Sequence, residues 1–200
     1  MVKTNSDELK ANSNFCLALD NKFANLMIKN KLDKNQLIEY FKQDYFFVEE
    51  DIKILKTLIK LSRDKKEKIM LKWFLRMVNT EEIPYLKNIF FYNNINVNEV
   101  IISSATREYI TFIEDAITRS NYLELLTILY AGESLYFQTF SEKKTGNYYI
   151  NQWETLHSED LGKLVNFLRR IIDGSDITND IVEIFNSTIN FEISFYQQFL

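Results

Sequence analysis

The stretch that most constrains the fold is QLIEYFKQDYFFVEEDIKILKTLIK, from Gln36 to Lys60. With Asp44 counted among them, Leu37, Phe41, Val48, Ile52, Leu55 and Ile59 follow one another at steps of four, three, four, four, three and four. That is helical periodicity, and it predicts a long helix with one face in a core. Asp44 stands in the middle of that face. A carboxylate there must be paired, hydrogen-bonded, protonated or turned to a cavity, because burying it bare costs several kcal/mol. The plain alternative is an Asp at the edge of the stripe that reaches water.

The remaining chain reads the same way. Four glycines and one proline in 200 residues leave little turn-forming material, so an all-α fold is expected. Residues 1–13 are polar and expected to be partly loose. A first helix is predicted over 14–29, and Asp33 caps the long second one. A third begins near Lys65 and carries Ile69, Leu71, Trp73, Phe74 and Val78. Thr80 to Glu82 ahead of Pro84 reads as a cap that opens a new segment. Further helices follow over Thr106–Thr118, from Ser120 to Phe140, over Asn151–His157 and Glu159–Ile172, and from Asn179 onward. With no repeat or linker, residues 1–200 form one domain, a bundle of about eight helices.

Composition removes several function classes. The net charge is −4 and the isoelectric point about 5.2, so no nucleic-acid footprint is expected. No apolar run is long enough to span a membrane, and the N-terminus lacks the pattern of a signal peptide. The single cysteine, Cys16, suits a reducing cytoplasm and sits in an apolar run, as a small buried residue would.

Two further acids repeat the anomaly of Asp44. Glu133 falls on the line Leu123, Leu126, Tyr130, Phe137, and Glu192 lies between Ile189 and Tyr196. Three acids aimed inward from three helices suggest a polar pocket inside the bundle. Tyr45, Phe47, Tyr109, Tyr130, Tyr136 and Phe195 could wall a flat ligand, or could each be ordinary core. Bundle di-iron sites use paired Glu-x-x-His motifs, and this chain has only Glu154-x-x-His157. Neither metal, haem nor another cofactor is therefore expected. What remains is a neutral or cationic nitrogen heterocycle, its amine edge on a carboxylate and its faces on aromatics. Paired acids of separated pKa could also serve general acid–base hydrolysis.

The segment LIEYFKQDYFFV resembles the second helix of the TenA/thiaminase II family, of the haem-oxygenase-like fold. Phe191-Glu192-Ile193-Ser194-Phe195-Tyr196 is similar to that family's closing Tyr-Glu-x-x-Phe-Trp motif, and Trp153 and Tyr109 also match it. Gly132 stands where the better-known class has its nucleophilic cysteine. Leu129, Ala131, Glu133, Tyr136, Thr139 and Phe140 instead fit the cysteine-lacking class, TenA_E. His157 replaces a usual tyrosine, and Asn21 stands where a His-Pro pair is common. The resemblance implies an aminopyrimidine hydrolase of thiamin salvage. It would convert 4-amino-5-aminomethyl-2-methylpyrimidine, or its formyl derivative, to the hydroxymethyl compound with little cleavage of thiamin. Asp44 would hold the aminopyrimidine edge, Glu192 would exchange a proton with the leaving amine, and Glu133 would activate water. Tyr45, Phe47, Tyr109, Tyr136 and His157 would line or position the ring. A homodimer or homotetramer is implied; in the sequence itself Phe90, Phe91 and Tyr92 are candidates for an interface, or simply core. Alternatives are a non-catalytic ligand-binding or regulatory protein of the same fold, or a hydrolase of another small amine.

Overall fold

The computed structural model describes residues 3–141, 147–156 and 159–200. Among the described residues there is no strand, and the all-α expectation holds. The helices are α1 (Asn5–Ala11), α2 (Phe15–Leu19), α3 (Lys22–Ile28), α4 (Lys34–Leu61), α5 (Lys65–Met77), α6 (Ile83–Tyr92), α7 (Ser104–Arg119), α8 (Tyr122–Phe140), α9 (Tyr148–Leu156), α10 (Glu159–Asp173) and α11 (Asn179–Gln197). None is long and apolar enough to cross a membrane, among the residues described.

The N-terminal region departs from expectation. Residues 5–11 are not loose but form α1, with Thr4 and Asp7 making a reciprocal capping box. Its start is tied to the end of α10: Asn5 Nδ2 donates to the Ser175 carbonyl at 2.7 Å, and the Ser6 amide donates to Asp173 at 2.9 Å. Long-range bonds of this kind leave no local sequence signal. The helix expected over 14–29 is broken in two, because the Asn21 side chain takes the amides of Phe23 and Ala24 and so starts α3 afresh. Cys16 and Ile69, both expected inside, are exposed.

The long helix α4 is the axis of the molecule. Asp33 accepts from the Gln36 amide at 2.9 Å while the Gln36 side chain accepts from the Asp33 amide at 3.1 Å, closing a capping box at its start. Leu37, Phe41, Val48 and Leu55 are buried as predicted, with Ile52 and Ile59 partly so. This helix packs against α5, α6, α7 and α8, and α8 in turn packs against α10 and α11.

No break occurs at Thr80. Instead α5 runs through a π-helical turn, Val78–Glu82, directly into α6. In a regular α-helix the Pro84 ring would meet the carbonyl four residues back. The wider turn moves that carbonyl away, and the chain continues without a cap. The same turn brings Glu82 to the inner face of the bundle.

Candidate active site

Four long helices and the π turn enclose one cavity. α4 contributes Asp44, Phe47, Val48 and Asp51, the turn Glu82, α7 Tyr109 and Ile113, α8 Gly132, Glu133 and Tyr136, and α11 Glu192. The space is about 560 Å³ with its open mouth and the solvent there included. The three acids singled out by helical phase all reach it. So do two that were missed, Asp51 and Glu82. Phe47, Tyr109 and Tyr136 line it as expected. Tyr45 does not: its ring packs on Phe46 and Phe90, and its hydroxyl donates to Glu49 at 2.9 Å. His157 lies outside the described residues.

The floor of the cavity is Asp44 and Glu192, each only 5% exposed. Tyr109 donates its hydroxyl to Glu192 Oε1 at 2.9 Å. The second oxygen of Glu192 and Oδ2 of Asp44 have no hydrogen-bond partner. Buried oxygens in that condition are costly unless something fills the space in front of them. Burial pushes the Asp44 carboxyl up to about 7, against the opposing pull of Tyr40 and Trp153 beside it. Burial likewise pushes Glu192 up to about 8, partly offset by the Tyr109 hydroxyl and reinforced by Asp51 and Asp44.

Asp51, Glu82 and Glu133 form the more exposed side. Desolvation first, and then the neighbouring acids, raise Asp51 to about 8 and hold Glu82 and Glu133 well above the usual carboxylate range. No lysine or arginine stands among the described lining residues. Five acids thus line one space. No group of three or more described His, Cys, Asp or Glu side chains converges closely enough to hold a metal ion.

Aromatic packing fixes the walls. Tyr109 stacks on Phe191 at 5.2 Å and touches Phe47 at 4.8 Å, and Phe47 meets Phe195 edge-on at 4.5 Å. Tyr136 shares a hydroxyl–hydroxyl contact of 3.3 Å with Tyr40. The start of α7, which carries Tyr109, is held from two sides. Gln43 donates to the Ile101 carbonyl and accepts from the Ser103 amide, both at 3.0 Å, while Gln198 bonds the hydroxyls of Ser103 and Thr106. Gln43 therefore sets where Tyr109 stands relative to Asp44, its neighbour in the chain.

Gly132 leaves open the space where a side chain would stand. A Cβ built there lies 3.4 Å from Glu192 Oε1 and 4.0 Å from the Tyr109 hydroxyl. A cysteine at this position would point at the floor acids; glycine leaves that volume to ligand or water.

The profile of the TENA/THI-4/PQQC family matches residues 21–200. No curated protein matches in sequence. Among solved structures, a TenA homologue from Pyrococcus furiosus is similar at 18% identity with a TM-score of 0.85, covering 98% of this chain and all of the other. A putative TenA-like thiaminase from Sulfolobus solfataricus P2 is similar at 16% identity and a TM-score of 0.79, over 99% of this chain and 96% of that one. A TenA family transcription regulator from Silicibacter sp. TM1040 gives 15% and 0.80, over 98% and 96%. At such identities these likenesses establish the fold, which is haem-oxygenase-like, while the profile, reaching from the start of α3 to the last residue, carries the assignment: the chain belongs to the TENA/THI-4/PQQC family.

Proposed function

We propose that the protein is an aminopyrimidine hydrolase of thiamin salvage, acting on the aminomethylpyrimidine or its formyl derivative. One observation carries the reading: Asp44 Oδ2 and Glu192 Oε2 are buried without partners in a cavity walled by Phe47, Tyr109 and Tyr136. A flat heterocycle with an amine edge satisfies both the oxygens and the aromatic faces. In this reading Asp44 takes the ring amino group. Glu192, protonated at neutral pH because it is buried, gives its proton to the departing nitrogen when that nitrogen is an amide. Glu133 accepts a proton from water once the bound ligand has lowered its affinity for its own. The C–N bond breaks with its electron pair on nitrogen, the C–O bond forms from water, and the products are the hydroxymethylpyrimidine and ammonia or formamide.

With Gly132 in the place of a nucleophile, direct attack by water replaces a covalent intermediate, and thiamin is expected to survive. The test is product analysis with the aminomethylpyrimidine, its formyl derivative and thiamin. Hydroxymethylpyrimidine from either of the first two, with thiamin intact, supports the reading. Thiamin cleaved at a comparable rate contradicts the part assigned to Gly132. A second reading, a binding protein without turnover, has the missing cysteine in its favour. Tight binding of the aminomethylpyrimidine without product would decide for it.

A further inference from the structure

The proposed reaction gives work to Asp44, Glu133 and Glu192 and none to Tyr40, which does not line the cavity. Tyr40 stands one helical turn before Asp44 on the same face of α4, and it is fully buried. The rings of Phe23, Phe195, Phe199, Tyr196 and Trp153 surround it, with centroids between 5.4 and 6.3 Å away. For packing alone a phenylalanine would serve here. A buried hydroxyl costs free energy unless it is hydrogen-bonded, so the partners of this one explain the tyrosine.

Two groups stand beside that hydroxyl: the Asp44 carboxyl and, at 3.3 Å, the Tyr136 hydroxyl on the cavity wall. A hydroxyl rotates and has one hydrogen to give. An ionised carboxylate is the stronger acceptor of the two, so that hydrogen goes to Asp44 and Tyr136 completes the other contact as donor. Burial keeps the hydrogen on Tyr40, since it raises the hydroxyl well above the usual tyrosine range. Trp153 of α9 adds to the same pull on Asp44. With one oxygen of Asp44 held in this way, the oxygen left over is Oδ2, which is buried without a partner. The other titratable groups facing Asp44 are Asp51 on its own helix, Glu82 of the π turn, Tyr85 of α6, Glu133 of α8, and Glu192 and Tyr196 of α11. Each of these carboxyls, once ionised, favours a protonated Asp44; the Tyr40 hydrogen works against them.

We infer that Tyr40 is a positioning residue: its hydroxyl grips one oxygen of Asp44 and leaves Oδ2 fixed, as a hydrogen-bond acceptor, toward the amino edge of the ligand. This rests on the ligand site of the proposed function, and it names the residue behind the cavity that orients its floor.

The test is an NMR titration of aspartate isotope-labelled at the carboxyl carbon, in the ligand-free parent and in Tyr40→Phe, with Asp44→Asn assigning the signal. Tyr40→Phe keeps every ring contact and is expected to fold. Loss of the hydroxyl is expected to move the Asp44 midpoint up by about one pH unit, a tenfold gain in proton affinity. The Asp51 midpoint, read in the same spectra, is expected to move less. From a midpoint of about 7, such a shift lowers the ionised fraction of Asp44 at neutral pH about fivefold. KM for the aminomethylpyrimidine should rise by that factor with kcat little changed. A ring that only packs would leave the midpoint where it is, so an unmoved or lowered midpoint overturns the inference whatever the activity. An upward shift with no turnover in either protein keeps the positioning role and counts against the proposed hydrolysis.

Discussion

At the scale of single residues, Glu192 is the group on which the chemistry turns. Replacing it with Gln keeps an acceptor for the Tyr109 hydroxyl, which holds the side chain at 2.9 Å, but removes the transferable proton. Hydrolysis of the formyl derivative is expected to fall by about 10²–10⁴ in kcat, the usual worth of a positioned acid, with KM changed little; steady-state product assays check this, and unchanged kcat would refute the role. Gly132→Ala separates stability from function. A glycine inside a helix costs roughly 0.5–1 kcal/mol relative to alanine, and the new methyl would stand at ordinary contact, 3.4 Å from Glu192 Oε1. Thermal unfolding should therefore shift upward while affinity for the aminomethylpyrimidine drops, because the methyl occupies ligand space. Asp44, Glu133 and Glu192 were legible in the sequence because each interrupts an apolar line at helical steps. Asp51 was equally available: Asp44, Val48, Asp51 and Leu55 also run at four, three and four. Counting Ile52 into the stripe hid it, since adjacent residues on one helix can both border a face more than a third of a turn wide. Tyr45 was misplaced for the opposite reason, since its nearness to Asp44 in the chain turns it about a hundred degrees away around the helix.

At the scale of elements, the site depends on how helix ends and turns are held. Gln43 is buried, and its amide makes two bonds to the segment just before α7. Gln43→Leu would leave the Ile101 carbonyl and the Ser103 amide without that partner, at a loss of about 0.5–1.5 kcal/mol for each of these partly buried hydrogen bonds. Because the same bonds fix α7, Tyr109 would drift from Glu192. Chemical denaturation should show the lost stability, and kcat should fall although Gln43 itself does not line the cavity. A loss of stability with kcat intact would mean that Gln198 alone positions α7. The sequence revealed α4, α7, α8 and α11 well, because capping residues and a buried stripe are local signals: Asp33, Ser103, Asn121 and Thr178 each cap as their chemistry dictates. It did not reveal the π turn. One wide turn shifts the phase of every following side chain, so a periodicity argument carried across Val78–Glu82 puts Glu82 on the wrong face. The short helices α1 to α3 were blurred although Thr4 and Asn21 are local caps, because segments of 7, 5 and 7 residues carry too little apolar periodicity to be told apart.

At the scale of the whole molecule, the acid cavity sets how stability responds to pH. In the unfolded chain these carboxyls titrate near 4. In the folded protein burial raises Asp44 to about 7, and burial with the neighbouring acids raises Asp51 and Glu192 to about 8 and holds Glu82 and Glu133 well above the usual carboxylate range. Between roughly pH 4 and pH 8 the folded state therefore holds protons that the unfolded state has released, and stability must fall as pH rises through that window. Lys10, lowered to about 8 by burial beside Arg169, works the other way: above pH 8 it is the folded state that has lost the proton, so stability recovers slightly. Asp64 and Asp173 are lowered by backbone hydrogen bonds, but burial is small at both and their effect is confined to more acidic solution. The ligand-free protein should accordingly unfold at a higher temperature at pH 5 than at pH 8. A cationic ligand reverses the slope, because it takes the place of the protons that the cavity would otherwise have to keep. Thermal unfolding at pH 5 and pH 8, with and without saturating aminomethylpyrimidine, measures both effects together. The upward shift produced by the ligand is expected to be several-fold larger at pH 8. A ligand-free protein that grows steadily more stable from pH 5 to pH 8 would mean that the five acids do not face one another across a shared, poorly solvated space, and the electrostatic basis of the site would have to be abandoned.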